Sequence, residues 1–464
     1  MTALWRRNRA RGPAWATATL RVALLAAVIG LVTAAAAAPP SASREPRRSA
    51  VLFIGDGMGP AYVTATRLAR GGSAGGLHLD DLPYTALVRT YAADGPVTDS
   101  AAAATAMACG AKTVNGVLGQ DRTAVYRTKD GAKLEPIAIW AARRGMTVGV
   151  VTTARVTHAT PAAFYASDND RDHERAIARA AIASPLDLLL GGGREFFLPG
   201  PKVADDPGWA ASDGEDLRAA ARGRGWTVVE TAADLRAVAS LRGKKILGLF
   251  AGSHLPFEAE GRAAPGETPA APGRIRPTIV EMTGWALGVL KARGRPFFLM
   301  VEGGRIDHAG HANWARTLVD ETAAFDEAVG TAVSLLDPKT TLVLVTADHE
   351  TGGLAINGYP EEKDGIWSTV RPQEGEKPYP VLTFTSGPGA RQATQGPLGP
   401  DDARPSGFVL TDAAHTGVDV ALYGWGVGAE QVHGTLDNTA IYTILRATLE
   451  GRTVDRKSLL RAPR

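Results

Sequence analysis

One cysteine in 464 residues, Cys109, excludes any intrachain disulfide. In an oxidising compartment such a lone thiol is expected to be buried and inert. Aromatic residues are few (6%), and no internal repeat is present. A surplus of one charge is missing as well. The formal charge is +3, yet residues 1–38 hold five arginines and no acid, and removing them leaves 46 basic against 48 acidic residues, a charge of −2. A basic footprint for nucleic acid is therefore absent, and nucleic-acid-specific binding is not expected.

What is present begins with an export-type leader. Arg6, Arg7, Arg9 and Arg11 form a positive start, residues 22–32 an uninterrupted apolar run, and Ala34 to Ala38 a small-residue stretch suited to cleavage, ahead of Pro39 and Pro40. A retained membrane anchor is the competing reading, since the apolar and Ala-rich stretch approaches spanning length. The Ala-rich end favours residues 1–38 as a cleaved signal and residues 39–464 as one exported domain, periplasmic or extracellular, with no stable membrane anchor. Arg6-Arg7 leaves the export route, general or twin-arginine, open.

Beyond the leader, apolar strand patterns alternate with amphipathic helices, which predicts an α/β fold: a large, mostly parallel central sheet sandwiched between helices. Strands are expected over 50–54, 147–152, 186–190, 245–250, 296–301 and 341–346, and helices over 135–144, 174–183, 277–292, 314–336 and 439–449. The 277–292 helix should carry Pro277 in its first turn and bury Ile279, Met282, Ala286, Leu287 and Leu290. Stretches 199–214 and 258–272, rich in Pro, Gly and Ala, read as insertions. The interval 357–406, with eight prolines, reads as a surface loop or small accessory subdomain near a substrate entrance.

Five segments carry chemistry. In Ile54-Gly55-Asp56-Gly57-Met58-Gly59 a carboxylate sits at a strand end among glycines that permit close approach. Taken alone, Asp56 is better explained as a helix cap. In Thr98-Asp99-Ser100-Ala101-Ala102 a serine opens an Ala-rich helix, where the dipole and free N–H groups favour anions, although an Asp-Ser pair there is also an ordinary N-cap. No G-x-S-x-G elbow surrounds Ser100, so a histidine base is not the obvious activator. In Glu302-Gly303-Gly304-Arg305-Ile306-Asp307-His308-Ala309-Gly310-His311, one helical turn would bring Asp307 and His311 to the same side, a donor pair suited to zinc, while Glu302 suits a harder cation. Asp348-His349 in Thr346-Ala347-Asp348-His349-Glu350 and His415 in Ala414-His415-Thr416-Gly417 complete the set. Asp56, the Thr160 region, Glu302 and Asp348-His349 each fall at or just past the carboxyl end of an apolar strand, the edge where ligands bind parallel sheets. Five of the nine histidines lie in these segments (308, 311, 349 and 415) or beside Thr160 (158), which favours a metal cluster over chance.

In this order the five segments resemble the alkaline phosphatase family, over about residues 49–449. The resemblance implies Ser100 as a nucleophile forming a phosphoserine intermediate, and Arg171 as a bidentate phosphate clamp. It implies one zinc held by Asp307, His311 and His415, and a second held by Asp56, Asp348 and His349 with Ser100. It also implies a magnesium between Asp56, Thr160 and Glu302. His158 and His308 stand where the best-known enterobacterial members resemble Asp and Lys. They imply a magnesium site with looser outer contacts and a more alkaline optimum. The calcium site of animal members is not implied, because Ala251 stands where those carry Glu. Small-molecule phosphomonoesters are the implied substrates, and a possible homodimer rests on the resemblance alone. A phosphodiesterase or sulfatase would present a threonine or modified cysteine as nucleophile and lack the Arg171 clamp. A noncatalytic metal- or phosphate-binding protein would need no Ser100.

Overall fold

The computed structural model describes residues 48–460, except 73–74, 200–213, 241–242, 262–275, 361–364, 371–373, 375–378 and 390–400. The leader and most of the 199–214 and 258–272 stretches lie outside the described residues. Ten strands form the main sheet: β1 (Ser49–Gly55), β2 (Tyr84–Arg89), β3 (Thr147–Arg155), β4 (Leu188–Gly192), β5 (Trp226–Val229), β6 (Lys245–Leu249), β7 (Phe297–Gly303), β8 (Thr341–Ala347), β9 (Val420–Gly426) and β10 (Gly434–Asp437). Their order across the sheet is β10-β2-β9-β8-β1-β7-β3-β4-β6-β5. Only β9 runs against the rest, pairing antiparallel with both β2 and β8.

The central strands β1, β7 and β8 are buried along their whole length, as runs such as Val51-Leu52-Phe53-Ile54 require. A parallel sheet covered on both faces leaves no room for polar alternation. All six expected strands are present, within two residues at either end except β3, which continues to Arg155. The strands without an expectation are β2, β5, β9 and β10. In β2 only Ala86 and Val88 are buried, so its apolar signal is halved, and β5 spans just four residues.

Among the helices, Glu174–Ala183 and Thr439–Leu449 match the expected bounds. The helix Ile279–Ala292 buries Ile279, Met282, Ala286, Leu287 and Leu290 as anticipated. Its start differs. Thr278 is the cap, with Glu281 closing a reciprocal capping box, so Pro277 precedes the helix and does not enter its first turn. Capping by a hydroxyl satisfies an amide that a proline at the same point would not. Of the 357–406 interval, the described part includes Leu382–Gly387, which pairs with Ala355–Ile356 and Ser406–Val409 in a small three-stranded sheet. No helix among the described residues is long and apolar enough to cross a membrane. Cys109 is only partly buried, a correction to the expectation, although its surroundings push the thiol pKa up and so keep it unreactive.

Candidate metal and phosphate centre

Parallel strands end together, and the register shows which residues they bring to one edge. Glu302 on β7 stands beside Ile54 of β1 and Thr152 of β3. Asp56 follows β1, Asp348 follows β8, and Thr160 lies in the one-turn helix Ala159–Ala162 shortly after β3. Gly57 adopts φ +67°, and a Cβ there would meet the Thr351 Oγ1 at 2.7 Å and the Asp307 Oδ1 at 2.8 Å, so the turn after Asp56 must be glycine. His415 lies in the short strand His415–Thr416, which pairs with Glu350–Thr351 directly after Asp348-His349.

Three ligand-type groups result, each with donor atoms within 4.8 Å of one another: Asp56, Asp348 and His349; Asp307, His349 and His415; and Asp56, His158 and Glu302. His311 joins the second of these. Its Nε2 lies 3.1 Å from the Asp307 Oδ2, because the helix Arg305–His311 sets i and i+4 on one side, and 3.2 Å from the His415 Nε2.

The outer contacts fix which nitrogens are free. His311 donates its Nδ1–H to the Ala413 carbonyl at 2.5 Å, and His415 donates its Nδ1–H to the Thr98 carbonyl at 3.0 Å. Each Nε2 is then the atom offered to the centre; despite burial, Asp307 raises His311 to about 9, so without a cation a proton takes the place between its Nε2 and the carboxylate that a cation would fill. On the other side, both Asp56 oxygens, Glu302 Oε1, Asp348 Oδ2 and Thr160 Oγ1 are buried without a hydrogen-bond partner. Orphaned buried oxygens in such number are costly. Burial, and then the charges of Asp348, Asp307 and Glu302, hold Asp56 well above the usual carboxylate range. Burial lifts Glu302 to about 8 and Asp348 to about 6. The donor set therefore fits divalent cations, with imidazole and carboxylate on the Asp307 side and oxygen alone from Asp56, Thr160 and Glu302.

Ser100 is buried at the first position of the helix Ser100–Cys109, with its Oγ 3.2 Å from the His349 Nε2. The cap is its neighbour: Asp99 accepts the Ala102 N–H at 2.9 Å. Ser100 is thus spared for other work. Asp99 also accepts from Arg171 Nη1 at 2.9 Å and from the Gly116 N–H at 3.0 Å, which braces the guanidinium beside the helix N-terminus. The sequence offers the Asp99-Ser100 pair as an N-cap, which Asp99 fulfils, but not the brace on Arg171. The signal was available, since a residue that caps one helix has a second carboxylate oxygen to offer elsewhere.

His158 and His308 sit at the outer margin. Arg171 donates through Nη2 to His158 Nε2 at 3.3 Å, and Arg305 donates through Nη1 to His308 Nδ1 at 3.1 Å. His158 Nδ1 must then carry the ring proton. It is buried without a partner, and in that tautomer it would offer a cation no lone pair, only an N–H for a water that the cation held. Thr152, which donates to Glu302 Oε2, and His254, which packs on His308, also belong to this region and were not singled out from the sequence. His254 lies five residues past β6, where the same strand-end rule would have found it.

Known proteins agree with this architecture. Residues 47–450 match the family model described as "Alkaline phosphatase". The chain is 36% identical over 469 residues to the streptomycin-6-phosphate phosphatase of Streptomyces griseus, covering 91% of this chain and 95% of the relative. It is 33% identical over 445 residues to a membrane-bound alkaline phosphatase of Bombyx mori, covering 85% of this chain and 78% of the relative. Among solved structures, a mutant alkaline phosphatase of the Antarctic bacterium TAB5 with Mg bound in its M3 site superposes with a TM-score of 0.66. That match has 27% identity and covers 87% of this chain and 97% of that one. This chain belongs to the alkaline phosphatase family and is a phosphomonoester-hydrolysing enzyme.

Proposed function

We propose that this enzyme is metal-dependent and hydrolyses small phosphate monoesters to alcohol and inorganic phosphate, with Ser100 as the nucleophile that carries the phosphoryl group between half-reactions. The observation that supports this most is the placement of the Ser100 Oγ. It is a buried hydroxyl at a helix N-terminus, freed from capping by Asp99, 3.2 Å from His349 and beside carboxylates without partners.

In this reading Asp307, His311 and His415 hold one zinc, Asp56, Asp348 and His349 hold a second with Ser100, and Asp56, Thr160 and Glu302 hold magnesium. Such ions, when bound, supply the positive charge that lets a serine hydroxyl and a water ionise near neutral pH. The chain's own residues do the rest. Arg171, held by Asp99, presents a planar fork to two phosphoryl oxygens. The free N–H groups of the helix Ser100–Cys109 point at the same group, and their dipole favours its negative charge. His158 and His308 border the oxygens that face away from Ser100. Attack by the Ser100 Oγ forms the Ser–O–P bond and expels the alcohol oxygen with its electron pair. Water then cleaves that bond and returns Ser100. Burial chiefly pushes His349 and His308 down from the ordinary imidazole range, each to about 4, so neither is a ready proton donor near neutrality, whereas Asp307 raises His311 to about 9 despite its burial.

Residues 1–38 act as an export signal in the same reading, placing a domain of residues 39–464 in the periplasm or outside the cell, with 357–406 as an accessory insertion. The test is hydrolysis of a chromogenic aryl phosphate by the purified enzyme, before and after chelation and beside Ser100→Ala. Both treatments should remove activity, with a loss of at least about 10³-fold for the variant. Undiminished turnover in either sample would sink the proposal, and faster hydrolysis of a diester than of the monoester would redirect it.

A further inference from the structure

Arg155, at the end of β3, is an anchored strut. Its Nε and Nη2 engage both Glu174 carboxylate oxygens, at 2.9 and 2.5 Å, and the Thr157 hydroxyl donates to the same carboxylate at 2.5 Å. This strut addresses a single side chain from two directions. The Arg155 backbone N–H donates to His254 Nδ1 at 3.2 Å, and the Arg155 Nη1 lies against His254 Nε2. So His254, on the loop after β6, is tied by a residue of a different strand.

The His254 ring meets two others edge to face. Its centroid is 4.2 Å from that of His308 and 5.5 Å from that of His158, while His158 and His308 are 5.7 Å apart. His254 is thus the nearest ring to each. Beyond them, His158 accepts from Arg171 and His308 accepts from Arg305. A continuous path runs from Glu174 through Arg155, His254 and His158 to the guanidinium that addresses phosphate. Short polar contacts and close ring packing transmit orientation along such a path, because a ring in a packed site has few alternative rotamers.

We propose that His254 is a positioning residue for phosphate: its ring is a wedge that sets His308 and His158, and through His158 the Arg171 fork. Its ring and polar contacts are with Arg155, His158 and His308, and none of these is Ser100 or a residue proposed above to hold zinc or magnesium. Its effect should therefore fall on affinity for the phosphoryl group more than on turnover. The proposal rests on the phosphomonoesterase reading above.

Three variants separate the wedge from the tie. His254→Phe keeps a ring and loses the acceptor, His254→Asn keeps an acceptor for the Arg155 N–H and loses the ring, and His254→Ala loses both. With the zinc- and magnesium-reconstituted full-length enzyme, KM for the aryl phosphate and the inhibition constant of inorganic phosphate should rise together by about fivefold in the Ala and Asn variants. In those two variants kcat should fall by a smaller factor, and the Phe variant should return both constants to within about twofold of the parent. In a His308→Ala background, His254→Ala should add less than it does alone, since both act through one contact. Nitrogen-15 spectra of the imidazoles in the metal-free protein give a readout without turnover. The His308 ring signals should keep the parent pattern in the Phe variant and lose it in the Asn variant. Unchanged constants in the Ala variant, or recovery by Asn and not by Phe, would overturn the proposal. If the Ala variant does not fold, the Phe and Asn pair decides alone. Absence of hydrolysis by the parent itself would instead count against the phosphomonoesterase reading.

Discussion

Buried in the helix Ala315–Leu335, the Glu321 carboxyl accepts the Glu258 backbone N–H at 2.5 Å and is pushed up to about 8, first by burial. The folded protein keeps a proton there that the unfolded chain releases near the ordinary 4.5. The stability contributed by Glu321 is therefore full below that value and is lost as pH rises through about 8. Glu321→Gln retains an acceptor and removes the ionisation. Parent and variant should diverge between about pH 4.5 and pH 8, the parent losing stability by up to about 1.4 kcal/mol per pH unit in denaturant titrations and levelling off above pH 8. A difference independent of pH would refute the assignment. Arg171 makes the complementary case for geometry over charge. Arg171→Lys keeps the cation but loses the fork that spans Asp99 and His158, and KM for a phosphomonoester should rise by about tenfold. Unchanged KM would mean that charge alone recruits phosphate. Both residues sit in segments whose spacing is visible in the sequence. The Asp99 brace and the Glu258 contact are not, because their partners lie 72 and 63 residues away.

At the scale of elements, a single residue can decide a boundary that apolar periodicity does not place. Thr278 and Glu281 bond each other's backbone at the start of the helix Ile279–Ala292. Thr278→Ala should cost about 1 kcal/mol of stability with phosphatase activity per folded molecule unchanged. A loss of activity at retained stability would show that this helix start has a further role. The buried strands β1, β3, β4, β6, β7 and β8 were legible as apolar runs. The strands β2 and β10 lie toward one edge of the sheet, where Thr85, Leu87 and Thr435 face solvent and dilute the pattern. The reversed strand β9 alternates buried Val420, Leu422 and Gly424 with partly exposed Ala421, Tyr423 and Trp425, the mark of one covered face.

For the whole molecule, the centre buries Asp56, Glu302, Asp307 and Asp348 together, and burial with mutual repulsion makes that arrangement expensive without cations. Chelation should lower stability as well as activity, by about 2–4 kcal/mol, and zinc with magnesium should restore both. A chelator that stops turnover without moving the unfolding midpoint would show that the pocket does not depend on its cations for cohesion.

The sequence by itself determined the alternation of buried strands and helices, the family, and the residue types that meet at the strand ends. Those follow from hydrophobic periodicity and from short motifs, both properties of neighbouring residues. Tertiary structure alone decided that Asp99 braces Arg171, and which imidazole nitrogens face the centre. It also brought His254 onto His308 and His158. Each of these depends on where a partner from a distant segment comes to rest. That follows from sheet order and register, which spacing along the chain does not encode.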